Sequence, residues 1–178
     1  MILEERKKKI IYKKLYFRYT GNMKDAEQFK TEREEKFGGK IRFLSYARFI
    51  GRASTKKVLN RGGLLYVIGD NLYFEDFERT AGVMTMFNHK ENYTKTELSF
   101  DLGEISMVKK INEKSAISSV RGNTEENQIL PVTKGFLGFF VTPVVQIMVH
   151  NQTSLFLDIM DNDGFVTLIN EYMTTKIP

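Results

Sequence analysis

The 178-residue sequence has no cysteine and no tryptophan, and only two histidines and three prolines. Without cysteine there is no disulfide framework, no thiolate metal site and no cysteine nucleophile. His89 and His150 stand far apart, which leaves little for a zinc site or histidine-dependent catalysis. No run approaches the roughly 18 to 20 apolar residues that span a bilayer as a helix. The N-terminus carries early charges, but Ile10-Ile11-Tyr12 is broken by Lys13 and Lys14, so it does not read as a secretory signal. A phosphate-binding glycine loop, a Gly-x-Ser-x-Gly elbow and an HExxH helix are all missing. Carboxylates cluster at Glu75, Asp76 and Glu78 and again at Asp158, Asp161 and Asp163. Neither cluster matches a calcium loop, and helix capping accounts for the second. The expectation is a soluble, cytoplasmic protein that is not an enzyme and uses no metal or cofactor.

What is present is enough for a core, with 42% of residues hydrophobic. The net charge of +5 conceals a division along the chain. Residues 1–60 hold 17 Lys/Arg against 7 Asp/Glu, and the remainder holds 10 against 15. A basic front on a mildly acidic body calls for an anionic partner, such as a membrane surface, a nucleic acid or an acidic protein. A solvated charged surface is the plainer alternative. No DNA- or RNA-binding motif is recognisable and the body is net negative, so nucleic acid is not expected.

Residues 4–19 read as an amphipathic helix, with Tyr12, Tyr16 and Tyr19 on one side and Arg6, Lys7, Lys8, Lys9, Lys13, Lys14 and Arg18 around it. Thr20-Gly21-Asn22 breaks it. A second charged helix then runs to Phe37, with Phe29 and Phe37 on its apolar side and Gly38-Gly39 as its stop. From Ile41 the period falls to two. Phe43, Ser45, Ala47, Phe49, Gly51 and Ala53 form a core-facing set, leaving Arg42, Arg48 and Arg52 outward. Ser54–Asn60 is a loop. The strongest hairpin signal follows, with apolar runs on either side of Gly69-Asp70-Asn71, whose residue types accept tight-turn angles. Val83–Phe87 offers a strand, and Leu98, Phe100 and Leu102 alternate in another. The β pattern continues through Ile105, Val108 and Ile111, and residues 121–134 read as a polar loop. A second hairpin spans 145–159. Phe165, Leu168, Ile169, Tyr172 and Met173 then make the clearest helical stripe in the chain.

A β-meander with two hairpins and a closing amphipathic helix resembles the pleckstrin-homology superfold. The run Gly63-Leu64-Leu65-Tyr66-Val67-Ile68-Gly69-Asp70-Asn71-Leu72-Tyr73-Phe74 is similar to the Gly-x-Leu-Tyr-Val-Thr-Asp-Asn-x-Leu-x-Phe segment of its GRAM-like branch, with Ile68-Gly69 in place of the Thr-Asp step. Phe100–Val108 is similar to a later strand and turn of such domains. The resemblance covers roughly residues 41–175. It implies a mainly β (α+β) domain at 41–178, a sandwich or barrel of about seven antiparallel strands with a C-terminal helix cap. A charged helical extension at 1–40 precedes it. The resemblance also implies a non-catalytic module that binds lipid head groups, membranes or protein segments. In many such domains, basic residues of the first strand and the following loop hold the ligand.

Arg48, Arg52, Lys56, Lys57 and Arg61 lie in that place and are the candidate ligand-binding group. Three to five cations near an anionic leaflet supply roughly 3–5 kcal/mol, a dissociation constant of about millimolar, so a second signal is needed. Phe136, Leu137, Phe139 and Phe140, in the glycine-spaced segment 135–143, are candidates for membrane or partner contact, against a buried strand as the plainer reading. The expectation is a peripheral module at the inner face of a membrane. The alternative is a protein-interaction or self-association module using segment 135–143 or the N-terminal helices.

Overall fold

The period-two pattern beginning at Ile41 forms one long strand, β1 (Ile41–Arg52), at the centre of the sheet. A computed structural model describes residues 23–76, 94–132 and 142–175. Its first helix, α1 (Met23–Phe37), precedes β1. Strands β2 (Arg61–Ile68), β3 (Asn71–Asp76), β4 (Glu97–Asp101) and β5 (Ile105–Asn112) follow. A short helix, α2 (Glu113–Val120), comes next, and β6 (Pro143–Val149), β7 (Leu155–Ile159) and α3 (Asn162–Thr175) complete the order. The seven strands form a single antiparallel sheet ordered β4-β3-β2-β1-β7-β6-β5.

The connectivity forces this sheet to curl. Strands β4 and β5 are its two edges, yet only Leu102–Glu104 joins them. Laid flat, seven strands would put those edges roughly 29 Å apart, and four Cα steps reach only about 15 Å. The corner is pinned by the Leu102 N–H on the Asp70 carbonyl (2.7 Å) and the His150 N–H on the Glu104 carbonyl (2.8 Å). The result is a half-barrel closed by α3, compatible with the pleckstrin-homology-like fold that the pattern suggested. Both expected hairpins are present. In the first, Ile68 pairs with Asn71 and Gly69 takes φ +58, the conformation the two-residue turn needs.

The concave face holds the main core. Ala47, Phe49, Leu65 and Phe74 meet Ile147 and Leu157 there, beneath Phe165, Ile169 and Tyr172 of α3. The convex face is covered as well, in two places. Phe29 and Phe37 of α1 pack on Leu64, Tyr66 and Ile68. Ala116 and Val120 of α2 pack on Ile50, Val144 and Phe156. The α1 cover explains why β2 is buried on both faces from Gly63 to Ile68. Together the two covers explain the apolar Leu44 and Ile50 on the face that carries the arginines of β1. The expected helix at 4–19, the expected strand at 83–87 and Phe136, Leu137, Phe139 and Phe140 lie outside the described residues.

Candidate functional site

The connection from β1 to β2 leaves the sheet at Ala53, and its backbone is unusual. Ser54, Lys56 and Asn60 have φ of +59, +62 and +49, a region that non-glycine residues seldom occupy. Such conformations cost of order 1 kcal/mol or more each and persist only where surrounding contacts impose them. Those contacts are present. The Ala53 N–H donates to the Ser154 carbonyl (2.9 Å), and the Ser54 and Lys56 N–H groups donate to Ser119 (2.9 Å) and Val120 (2.8 Å) at the end of α2. The Leu59 N–H returns to the Ile50 carbonyl (2.8 Å), and the Thr55 hydroxyl donates to the Arg52 carbonyl (2.9 Å). Gly51 makes the close approach possible. A Cβ there would stand 3.1 Å from a Val120 methyl carbon and 3.2 Å from the Lys57 carbonyl oxygen. The loop is therefore a fixed feature clamped between the β6–β7 turn and α2.

The five expected basic residues divide on this frame. Arg48 points out from the convex face beside the start of α2, and its guanidinium is engaged on three side chains. It reaches Glu113 at 2.6 Å, Asp158 at 3.0 Å and the Asn60 side-chain oxygen at 3.1 Å. Partial burial alone would lower its pKa, but the hydrogen bonds to Glu113 and Asp158 outweigh this and raise it. It ties β1, β7, α2 and the loop together. Arg61, the first residue of β2, also has an interaction partner. Arg52 extends toward the β6–β7 turn, where its Nη1 lies 3.4 Å from the Gln152 side-chain oxygen. Lys56 and Lys57 are exposed and make no ion pair among the described residues.

The carboxylates after the first hairpin serve a different purpose. Glu75 accepts two hydrogen bonds from Arg33 of α1, at 2.9 and 2.7 Å, and one from the Tyr66 hydroxyl, with Lys95 at 3.4 Å. Asp76 accepts the Thr96 N–H at 3.0 Å. Phe29, Arg33 and Phe37 are spaced four apart along α1, so this clamp sits in the stripe that docks the helix. Burial would raise the Glu75 carboxyl, but Arg33, Tyr66 and Lys95 together hold it below its ordinary value of 4.5. Burial, and then the Glu75 charge, push the Tyr66 hydroxyl well above its usual value, so it stays a donor. A carboxyl lowered on folding contributes stability above its unfolded value and loses it as pH falls through its folded value. Glu75→Gln is therefore expected to unfold at lower urea than the parent at pH 7. The gap should narrow as pH falls through the lowered folded value of Glu75, where the parent carboxyl is protonated as well. A gap that stays constant with pH would contradict this role.

Among the described residues, the concave interior is closely packed between β2–β4 and β6–β7. The space lined by Leu65, Phe74, Leu98, Phe100, Ile147 and Leu157 has no room for a water molecule. No group of three metal-ligating side chains occurs among the described residues. Helix α2, on which the loop rests, was not read from the sequence, although Asn112 caps it through the Lys114 N–H at 2.9 Å. The asparagine cap and the Ala116/Val120 spacing were the available signals. In segment 121–134, read as a polar loop, Ile129 is in fact buried against α2 and the sheet. No family model matches the chain, and no curated protein matches it in sequence.

Proposed function

We propose that the chain is a non-enzymatic binding module, of GRAM-like affiliation, that docks on an anionic surface at the inner face of a membrane. One observation carries this reading. Lys56 and Lys57 project from a loop whose costly backbone conformation is held by three surrounding elements, and neither has a carboxylate partner among the described residues. Ion pairing has withdrawn Arg48 from the same surface, so these lysines supply the free charge. Each cation near an anionic leaflet contributes about 1 kcal/mol, and the strongly basic residues 1–60 add a wider attractive field. No helix among the described residues is long and apolar enough to cross a membrane, so the proposed association is peripheral.

Co-sedimentation with phosphatidylcholine vesicles, with and without phosphatidylserine, tests the proposal. Binding is expected only with the anionic lipid and should weaken as salt is raised. Failure to sediment with either vesicle at low salt would reject it. A second reading, protein contact or self-association, is favoured by the exposure of Leu130 (82%) and Met107 (45%). Under that reading, light scattering shows a mass above the monomer and lipid has no effect.

A further inference from the structure

Helix α1 covers more of the sheet than it buries of itself. Leu64, Tyr66 and Ile68 of β2 are buried beneath it, yet none of its described side chains, from Glu27 to Phe37, is fully buried. The main core draws on no described residue of α1. Three side chains spaced four apart make the attachment. The Phe29 ring meets Tyr66 edge-on at 5.7 Å between centroids, and Phe37 meets Tyr73 at 4.4 Å. Between them, the Arg33 guanidinium lies 4.8 Å from the Phe29 centroid and donates to Glu75 at 2.9 and 2.7 Å. Tyr66 and Tyr73 stack on each other at 5.2 Å, so the seat of the helix is a pair of rings beside one carboxylate. On the outer surface of α1, Gln28 pairs with Glu32 and Lys30 with Glu34, contacts made within the helix itself. Gly38, with φ +67, and Gly39 then lead into β1. Glu34 accepts the Ile41 N–H at 2.9 Å, a tie made at this joint. The glycine pair is a swivel on which α1 can leave the sheet while β1 stays in place.

We infer that the convex face of β2 and β3 is a docking groove for an amphipathic helix of a partner protein, and that α1 occupies it as an internal stand-in. The partner helix carries an aromatic residue, an arginine and a second aromatic residue at i, i+4 and i+8. Each position follows from the chemistry of the seat. Both Glu75 oxygens are engaged by Arg33, a two-point contact that a planar guanidinium makes and a lysine does not. The Tyr66 and Tyr73 rings favour aromatic partners in edge-on and tilted contact. An empty groove would leave an apolar sheet face in water, so α1 masks it until a helix with the same three groups and a larger apolar face displaces it. The groove involves neither α2 nor the Ser54–Asn60 loop, so it stands whether or not the chain binds a membrane.

A labelled synthetic peptide with the sequence of residues 23–37 is the probe, titrated against the full chain by fluorescence anisotropy. In the parent, the internal helix competes at the high effective concentration of a short tether, and the peptide is expected to bind weakly. Phe29→Ala with Phe37→Ala, made in the protein and not in the peptide, frees the groove and should tighten peptide binding about tenfold or more. Arg33→Gln in the protein keeps both rings and should shift binding in the same direction by a smaller factor. Adding Glu75→Gln to the double variant should lose about tenfold, as should lysine in place of the peptide's arginine. Urea unfolding of the double variant is expected to stay cooperative, because the main core lies on the other face. Loss of that transition would make α1 an integral part of the core and overturn the inference. A folded double variant that binds the peptide no better than the parent would overturn it too. So would binding that ignores the Glu75 change or the arginine change.

Discussion

Phe49→Ala is expected to lower the unfolding free energy by about 3–5 kcal/mol, the largest stability loss foreseen for this chain. Phe49 sits on the central strand, flanked by β2 and β7, and is 2% exposed. Its ring meets Phe74 at 5.9 Å between centroids, inside the fold of the half-barrel where the two halves of the sheet face each other. The side chains packed around it are apolar, so a cavity left by the deletion gives water no hydrogen-bond partners. The barrel is also pinned at its β4–β5 corner, which limits collapse into the cavity. The loss of transfer energy and the residual cavity therefore add. Domains of this size have only about 5–15 kcal/mol in total, so the variant should sit near the edge of folding. Phe49→Leu keeps much of the volume and should cost far less. Urea midpoints for the two variants would check this, and a Phe49→Ala loss below about 1 kcal/mol would mean that the barrel interior relaxes freely.

How much of this was legible in the sequence depends on the range over which each decision is made. The hairpin at Gly69-Asp70 and the β6–β7 hairpin are set by alternation and turn residues that lie within a few positions of one another. The stripe on α3 is equally local, and its Phe165, Ile169 and Tyr172 are buried as the spacing required. Helix α2 escaped notice because β5 passes directly into it at Asn112–Glu113, with no glycine or proline between them. Eight residues also give too little periodicity to stand out. Arg48 shows the limit most plainly. The alternation of β1 correctly turned it outward, but Glu113 and Asp158, which claim it, lie 65 and 110 positions away. Lys56 and Lys57 were legible as loop cations. Their fixed setting was not, because it is made by backbone groups of Ser119, Val120 and Ser154 that approach only after folding.

Charge reversal at the loop is the second large effect and the most direct test of the central claim. Lys56→Glu with Lys57→Glu removes two favourable cations and adds two repelled anions. At about 1 kcal/mol per charge the change is about 4 kcal/mol, or roughly a thousandfold in affinity. Both side chains are exposed and make no ion pair among the described residues, so stability should change little. The measurement is co-sedimentation of the parent and the double variant with phosphatidylserine-containing vesicles at low salt, with urea unfolding of both as the control for folding. The account predicts that the parent pellets with the vesicles and that the equally stable variant stays in the supernatant. A folded double variant that sediments as the parent does would contradict it.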